Sequence, residues 1–534
     1  MVRQFHLIAA ALFLAIAVGA YFWPPVALVL LVLVPVYLLG VRDTLQTRRS
    51  VLRNFPVIGH FRYLLEAIRP EINQYFVESN TDGTPFDREM RSLAYQRAKR
   101  TLDTVPFGTQ HDVYAIGYEW INHSLNAHVH EGPAPRITIG AGRCSQPYEA
   151  SLLNISAMSF GSLSKQAILA LNGGAKLGGF YHNTGEGGLS PYHLEPGGDI
   201  VWQIGTGYFG CRDERGRFDA EKFTERARLP QVKMIEIKLS QGAKPGHGGI
   251  LPASKVTPEI AEIRHVPLGK DVISPPAHTE FDTPRGLLEF VVRLRELSGG
   301  KPVGFKLCLG NPSEFIGICL AMKETGMTPD FITVDGGEGG TGAAPVEFSN
   351  SVGFPLTEGL VFVHNALRGF GLRKQLKIIA SGKILSAFHM AKRLAAGADL
   401  CNSARGFMFA LGCIQARRCN SNVCPVGVAT QDPDLGRGLV VADKNRRVHN
   451  LHDQTVEALM EILGAAGVAH PDDLRPYHVF RRVSPTEVRT YEEIYPYVTE
   501  GQFLVEVPEP WRQWLDLASA DSFVPRRDRT QVSV

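Results

Sequence analysis

Three cysteines fall within twelve residues: Cys413, Cys419 and Cys424, spaced C-x5-C-x4-C with a proline directly after the last, in LGCIQARRCNSNVCPVGVATQ. Thiolate sulfur is a soft, redox-compatible donor, and three close thiolates with no fourth nearby suit an iron-sulfur cluster of three irons. Zinc would usually want a fourth ligand, a distant His or a Cys such as Cys401. Inert cysteines are the third reading. The remaining cysteines, Cys144, Cys211, Cys308, Cys319 and Cys401, are scattered. Eight in a chain of 534 residues do not form a disulfide-dense secreted framework.

A second chemical signal is glycine. The 54 glycines gather in strings such as GEGG and GGEGGTG, which suggests tight loops approaching a ligand closely. The balance of charge is nearly even, 56 Lys and Arg against 53 Asp and Glu, for a net +3. A nucleic-acid partner is therefore not expected, because the basic footprint is missing. With 44% apolar and 20% charged residues, most of the chain should be soluble and folded, too long for one small domain.

The elements that must position these residues alternate strand and helix from Leu152 onward, the pattern of a parallel sheet with crossover helices. Eight candidate strands cover Leu152–Phe160, Phe180–Gly185, Met234–Ser240, Asp271–Pro275, Pro302–Leu309, Phe331–Gly337, Leu376–Gly382 and Leu400–Gly406. Eight suit a closed α/β barrel of the (β/α)8 type, the TIM barrel. The helices include SKQAILALNGGAKL, PRGLLEFVVRLREL and SAFHMAKRLAAGA. Glycine and polar residues fall just past most strands, at the end that carries the active site in such barrels. The loops Ser381-Gly382-Lys383 and Ser403-Ala404-Arg405-Gly406 occupy the places where these barrels hold a phosphate, so a phosphorylated cofactor is expected, with ordinary loop glycines as the alternative. A formal G-x-G-x-x-G at Gly205, Gly207 and Gly210 is not read as a dinucleotide site, since no βαβ unit is expected around it and no helix follows it directly.

From Leu7 to Val41 there is no charge, and Pro24-Pro25 divides the stretch into Leu7–Trp23 and Val26–Val41. Two short spans with a proline turn read as a transmembrane hairpin. Arg3 lies outside one end and Arg42, Arg48, Arg49 and Arg53 outside the other, so the positive-inside rule places both ends, and the catalytic domain, on the cytoplasmic side of the inner membrane. A signal peptide and a single bent or re-entrant segment are the alternatives. The expected organisation is a hairpin over residues 1–43, a helical lead-in arm over 44–136, the barrel with its cysteine segment over 137–431, and a helical extension over 432–534 packing on the barrel. The arm contains PVIGHFRYLLEAIRP and DREMRSLAYQRAKR; the extension contains NRRVHNLHDQTVEALMEILGAAGV, PYHVFRR, TYEEIYPY and PRRDR. His449 and His452 lie three apart on the expected helix and are read as packing or surface residues.

Taken together, ISAMSFGSLS, NTGEGG, KLSQGAKPGHGG, ISPP, DGGEGGTGAAP and GC-x5-C-x4-CPVGVATQ, in that order between Ile137 and Gln431, resemble the FMN and iron-sulfur part of glutamate synthases. The resemblance implies a 3Fe-4S cluster on Cys413, Cys419 and Cys424. It implies FMN at the loop end of the barrel, contacted by Ala157, Met158, Ser159 and Gln241, with Lys306 as the cation near the flavin and Gly336, Gly337, Gly382, Arg405 and Gly406 around the phosphate. Lys244 and Arg264 match the family's oxoacid-holding lysine and arginine, and both could bind carboxylates. Glu186 matches a glutamate where ammonia arrives, able to stabilise ammonium or take a proton.

The implied reaction is reductive amination of a 2-oxoacid, 2-oxoglutarate in the family, through a 2-imino acid to an amino acid. Electrons would come from a separate donor: a reductase subunit, a ferredoxin-like protein or the membrane. Two departures bear on substrate. Where the family has KPGEGGQLPG, this chain has KPGHGGILPA, so His247 replaces a glutamate and Ile250 replaces a glutamine that contacts the oxoacid. An isoleucine supplies no hydrogen bond, which leaves another oxoacid or amino acid open as substrate. An electron-transfer subunit without amino-acid chemistry is the further alternative. The family's amidotransferase domain is not matched, so hydrolysis of glutamine by this chain alone is not expected.

Overall fold

The computed structural model describes residues 1–526, and the basic run PRRDR extends beyond them. The chain forms two compact units, Met1–Arg88 and Glu89–Val534, so the arm expected over 44–136 is shared between them.

In the first unit α1 (Val2–Phe22) and α2 (Leu30–Leu45) are joined by a short helical turn at Pro24–Val29. Spans of 21 residues (Val2–Phe22) and 22 residues (Pro24–Leu45) are long and apolar enough to cross a membrane. Gly40 lets the two helices close, since a Cβ there would come within 2.1 Å of the Phe5 ring. Beyond them, α3 (Gly59–Ile72) is amphipathic. Its start is tied to α2 by Asp43, a buried carboxylate that accepts the Val57 N–H at 2.9 Å and pairs with His60 Nε2 at 2.9 Å.

The second unit contains a closed, all-parallel barrel of eight strands: β1 (Leu153–Ile155), β2 (His182–Asn183), β3 (Ile200–Ile204), β4 (Val232–Lys238), β5 (Val303–Leu307), β6 (Phe331–Asp335), β7 (Lys377–Ser381) and β8 (Leu400–Ser403). The TIM barrel expected from the sequence is therefore present, with one strand exchanged. Asp271–Pro275 does not enter the barrel; Val272–Ile273 pairs antiparallel with Ile250–Leu251 in a separate ladder. Its place belongs to β3, whose five residues are all buried. A strand covered by helices on one side and barrel interior on the other lacks polar alternation, so periodicity does not mark it. A β3–helix–β4 unit consequently does surround Gly205, Gly207 and Gly210, against expectation, but its helix, Ala220–Ala227, starts ten residues after Gly210 rather than at the glycines.

The crossover helices begin where a short polar side chain can take an otherwise unpaired N–H. Ser164 accepts from Ala167 N at the start of α4 (Lys165–Gly178), Thr283 from Gly286 N before Pro284–Leu297, and Ser386 from His389 N before Ala387–Ala395. Helix α5 (Val441–Ala465), from the C-terminal extension, packs on α4. Gly174 makes that approach possible, because a Cβ there would lie 2.4 Å from Val448 Cγ1. His452 is buried within the contact, stacked on Phe180 at 3.9 Å and hydrogen-bonded to Ser151 Oγ at 2.8 Å, a packing role.

Inside the barrel, Glu236 on β4 accepts hydrogen bonds from Asn183 Nδ2 (2.8 Å), Gln203 Nε2 (2.6 Å) and Thr333 Oγ1 (2.6 Å). One buried carboxylate thus joins four strands, with a donor on each of its oxygens.

Candidate active site at the loop end of the barrel

The loops after β2, β3 and β4 converge on Glu186. Two glycines make room for it: a Cβ on Gly249 would stand 2.2 Å from Glu186 Oε1, and one on Gly205 2.7 Å from its Cβ; a third, Gly187, makes room for Ser159 and Arg264. The NTGEGG and KPGHGG segments therefore meet around one carboxylate. Glu186 Oε1 accepts from Lys238 Nζ at 2.6 Å. Burial would raise its pKa, but Lys238, with Lys244 and Arg264 further off, holds it below the usual value.

Two cations share this space. Lys244 is buried and donates to the Ala343 carbonyl at 2.7 Å; burial and then Lys238 push its pKa down to about 8, against the pull of Glu186. Arg264, on the helix Pro258–Arg264, is 4% exposed and donates to the Phe160 carbonyl at 2.9 Å and to Ser159 Oγ at 3.4 Å. Its guanidinium faces the Phe209 ring at 5.3 Å, and its Nε is buried without a partner. Burial lowers its pKa to about 10, which leaves it charged at neutral pH. A buried, unfilled N–H on a fixed cation is a ready donor to a carboxylate.

On the neighbouring strands, Lys306 pairs with Asp335 at 3.1 Å. Burial alone would lower its pKa, yet Asp335 and Glu236 hold it above the usual value. Asp335 also accepts the Gly242 N–H at 3.0 Å, where a Cβ would come within 1.8 Å of the Gly336 carbonyl. Gln241 follows β4; it donates to the Gly340 carbonyl at 3.0 Å and accepts from Lys238 Nζ at 3.3 Å. Ala157, Met158 and Ser159 follow β1; Met158 N donates to the Asn183 carbonyl at 3.4 Å.

At the loops where the sequence leads one to expect a phosphate, Gly336 N–H donates to the Ser381 carbonyl and Gly337 N–H to the Phe354 carbonyl, so neither N–H is free to point at a ligand. Gly382 follows β7 with φ +141°, a conformation suited to glycine. Arg405 and Gly406 open a short helix after β8, and Arg405 donates to the Glu338 carbonyl at 2.7 Å.

The cysteine segment is framed differently. Gln415, Arg417 and Asn422 all take positive φ without being glycine, the sort of backbone strain that collects at functional loops. The loop is tied to its surroundings by side chains of its own and by side chains from outside it. Asn422 donates to the Ser254 carbonyl at 3.1 Å, Gln431 to the Gly161 and Leu163 carbonyls at 3.0 and 2.8 Å, and Ser164 Oγ to the Gly427 carbonyl at 2.7 Å. Lys255, 2% exposed, donates to the Ser162 and Ala429 carbonyls, both at 2.9 Å, and its charge reaches Cys419 and Cys424. Burial pushes the Cys413 thiol up to about 12, with Cys419 and Cys424 adding to the rise. Among the described residues, no three His, Cys, Asp or Glu side chains converge as a metal-holding group. Cys401 is buried in β8.

Residues 130–469 match the model of the conserved region in glutamate synthase, well over half of the chain. The chain belongs to the glutamate synthase family. With it, the chain joins the oxidoreductases that act on CH–NH2 donors. It is 40% identical to the glutamate synthase large subunit-like protein YerD of Bacillus subtilis, over 83% of this chain and 91% of that one. It is 38% identical to the archaeal glutamate synthase [NADPH] of Methanocaldococcus jannaschii, over 60% of each. The glutamate synthase [NADPH] large chain of Azospirillum brasilense matches at 33% over 58% of this chain, which spans only 20% of that protein.

Several residues of this candidate site in the glutamate synthase family member escaped the sequence reading. Lys238, the partner of Glu186, and Glu236 sit two apart on β4, in MIEIK; that spacing on a strand puts both on one face, which was the available signal. Asp335, the partner of Lys306, was legible only as the start of a glycine string. Lys255 had no sequence signal, since its partners are carbonyls more than ninety residues away.

Proposed function

We propose that the chain reductively aminates a 2-oxoacid, with 2-oxoglutarate the first to test, to the amino acid through a 2-imino acid. Ammonia condenses with the keto group and releases water; two electrons and two protons then reduce the C=N bond. FMN would supply the hydride chemistry, held by the loops after β1, β4, β7 and β8. The observation that carries this reading is the meeting of Glu186 and Arg264 among Gly187, Gly205 and Gly249, with Arg264 Nε buried and unpartnered and the Lys244 charge felt at Glu186.

In this reading the Arg264 guanidinium holds a substrate carboxylate and the Lys244 ammonium adds a second cation. Glu186, kept ionised by Lys238, steadies arriving ammonium or takes a proton from the condensing amine. Lys306 keeps a positive charge beside the ring site, which favours an anionic reduced flavin. Gly382, Gly406 and Arg405 would take the phosphate. Gly336 and Gly337, their N–H groups already used, would serve by allowing close approach. Cys413, Cys419 and Cys424 would hold a 3Fe-4S cluster, a donor set suited to iron. Electrons would arrive from a separate donor, and the two apolar helices would anchor the chain in the inner membrane with the barrel on the cytoplasmic side.

The test is anaerobic purification of the full chain in detergent, with FMN and iron counted per polypeptide, followed by an assay of ammonia-dependent glutamate formation using a chemical reductant. Flavin and iron together, iron lost in Cys419→Ser and glutamate formed would support the proposal. A well-folded preparation with neither cofactor would overturn it.

A second substrate reading is favoured by Ile250, which stands in the short ladder with Val272–Ile273 and brings no hydrogen-bonding group. His247 is turned to the Gly248 carbonyl and the Phe348 ring. Turnover of a less polar oxoacid, with 2-oxoglutarate inactive, would select this reading.

A further inference from the structure

The reductive chemistry makes no use of a surface on α3. There Phe61, Leu65, Ile68 and Ile72 recur three and four apart, which places them on one face of a helix. They are 62%, 44%, 40% and 39% exposed, and Ile58, just before the helix, is 69% exposed. The same face walls an apolar groove of about 660 Å³ with Val51 and Phe55. Arg62 and Arg69 border the stripe by helical angle. Between residues 42 and 72 six arginines stand against three carboxylates; of these, Asp43 is already bound to His60 and the Val57 N–H, and Glu66 makes an exposed pair with Arg62 at 2.9 Å, which leaves the balance positive. Those Asp43 contacts also fix height: they hold the start of α3 level with the last turn of α2, where the apolar span ends.

We propose that α3 lies in the plane of the membrane, its apolar stripe sunk in the acyl boundary and its flanking arginines on the phosphates of anionic lipids. The proposal rests on the reading of α1 and α2 as a membrane hairpin and goes beyond it. The stripe, the positive balance and the fixed height each match an interfacial helix, which sinks about 5–10 Å into the headgroup boundary. Arginine stems beside such a stripe can reach up to phosphate while their methylenes stay with the acyl chains.

The experiment places the full chain in bilayer nanodiscs containing phosphatidylglycerol, with a tryptophan introduced by Phe61→Trp on the stripe or by Ala67→Trp on the opposite side. Emission is compared, after subtraction of the wild-type signal, between ordinary lipids and lipids brominated on the upper acyl chain. Trp emission in the Phe61→Trp protein is expected to be blue-shifted and to fall roughly twofold with the brominated lipid, with little change for Ala67→Trp. Arg62→Gln combined with Arg69→Gln should weaken the Phe61→Trp quenching. Unquenched, water-like emission from Phe61→Trp, or quenching equal to that of Ala67→Trp, overturns the proposal. So does emission that becomes shielded only as protein concentration rises, the mark of a second copy covering the stripe. Extraction of the wild-type chain from cell membranes by alkaline carbonate would instead sink the hairpin reading, which separates the two failures.

Discussion

The loop end of the barrel and the cysteine segment hold their reactive groups in opposite ways. Around Glu186 the geometry comes from strand register: Lys238 and Lys306 are direct neighbours on β4 and β5, and each meets a carboxylate within 3.1 Å. Among the described residues the cysteine segment contains no strand, and it is positioned by side-chain bonds to loop carbonyls, from Lys255 outside it and from its own Gln431 and Asn422. The first arrangement is fixed by the fold itself, so a change there should alter chemistry sharply while the frame persists. The second depends on a few long side chains, so losing one should loosen the frame before it touches the barrel.

The strongest break should come from Glu186→Gln, which leaves Lys238 without its carboxylate and removes the proton acceptor. Turnover with ammonia should fall about 10²–10⁴-fold with FMN retained; a rate within a few-fold of wild type would remove Glu186 from the chemistry. Next, Gly242→Ala drives a methyl toward the Gly336 carbonyl, 1.8 Å from the ideal Cβ position, and should cost about 3 kcal/mol of stability. Flavin loss on dilution and a lower thermal midpoint would report it. At the other region, Lys255→Met leaves the Ser162 and Ala429 carbonyls without their donor and should cost about 2 kcal/mol. Iron should dissociate at a lower temperature than in wild type, with the flavin site kept at room temperature; unchanged iron retention would show that the grip does not depend on this lysine.

The mildest effect sharpens the first region. Lys244, with its pKa pushed down to about 8, is cationic below that pH and neutral above it. The KM for the oxoacid should therefore rise as pH climbs through about 8. Lys244→Arg keeps its charge across the range and should move this limb upward with kcat little changed. A limb that stays at the same pH would assign it to another group.

The residues that announce themselves in the sequence are those whose type is unusual for their setting: glycine strings, a cysteine triplet, a long run without charge. They brought the barrel, its loop end and the apolar hairpin into view. What stayed hidden has a common cause. Strand β3 is buried on both sides and shows no alternation, while Val272–Ile273 has strand-like composition but pairs only with a two-residue partner. Lys238, Asp335 and Lys255 matter through partners brought close by tertiary folding, and local spacing carries no record of such meetings. The spent N–H groups of Gly336 and Gly337 were likewise beyond reach, since a motif gives residue type and not the direction in which a donor points.

The bonds that tie the loop after β1 to the cysteine segment have a consequence for failure as well as for assembly. Ser164, Lys255 and Gln431 each touch carbonyls of one or both stretches, so neither can open far without releasing the other. Local opening in proteins proceeds by such linked units. Heat or denaturant should thus bleach the yellow and brown colours of a loaded wild-type enzyme in a single step, and Lys255→Met, which cuts part of the link, should split that step in two.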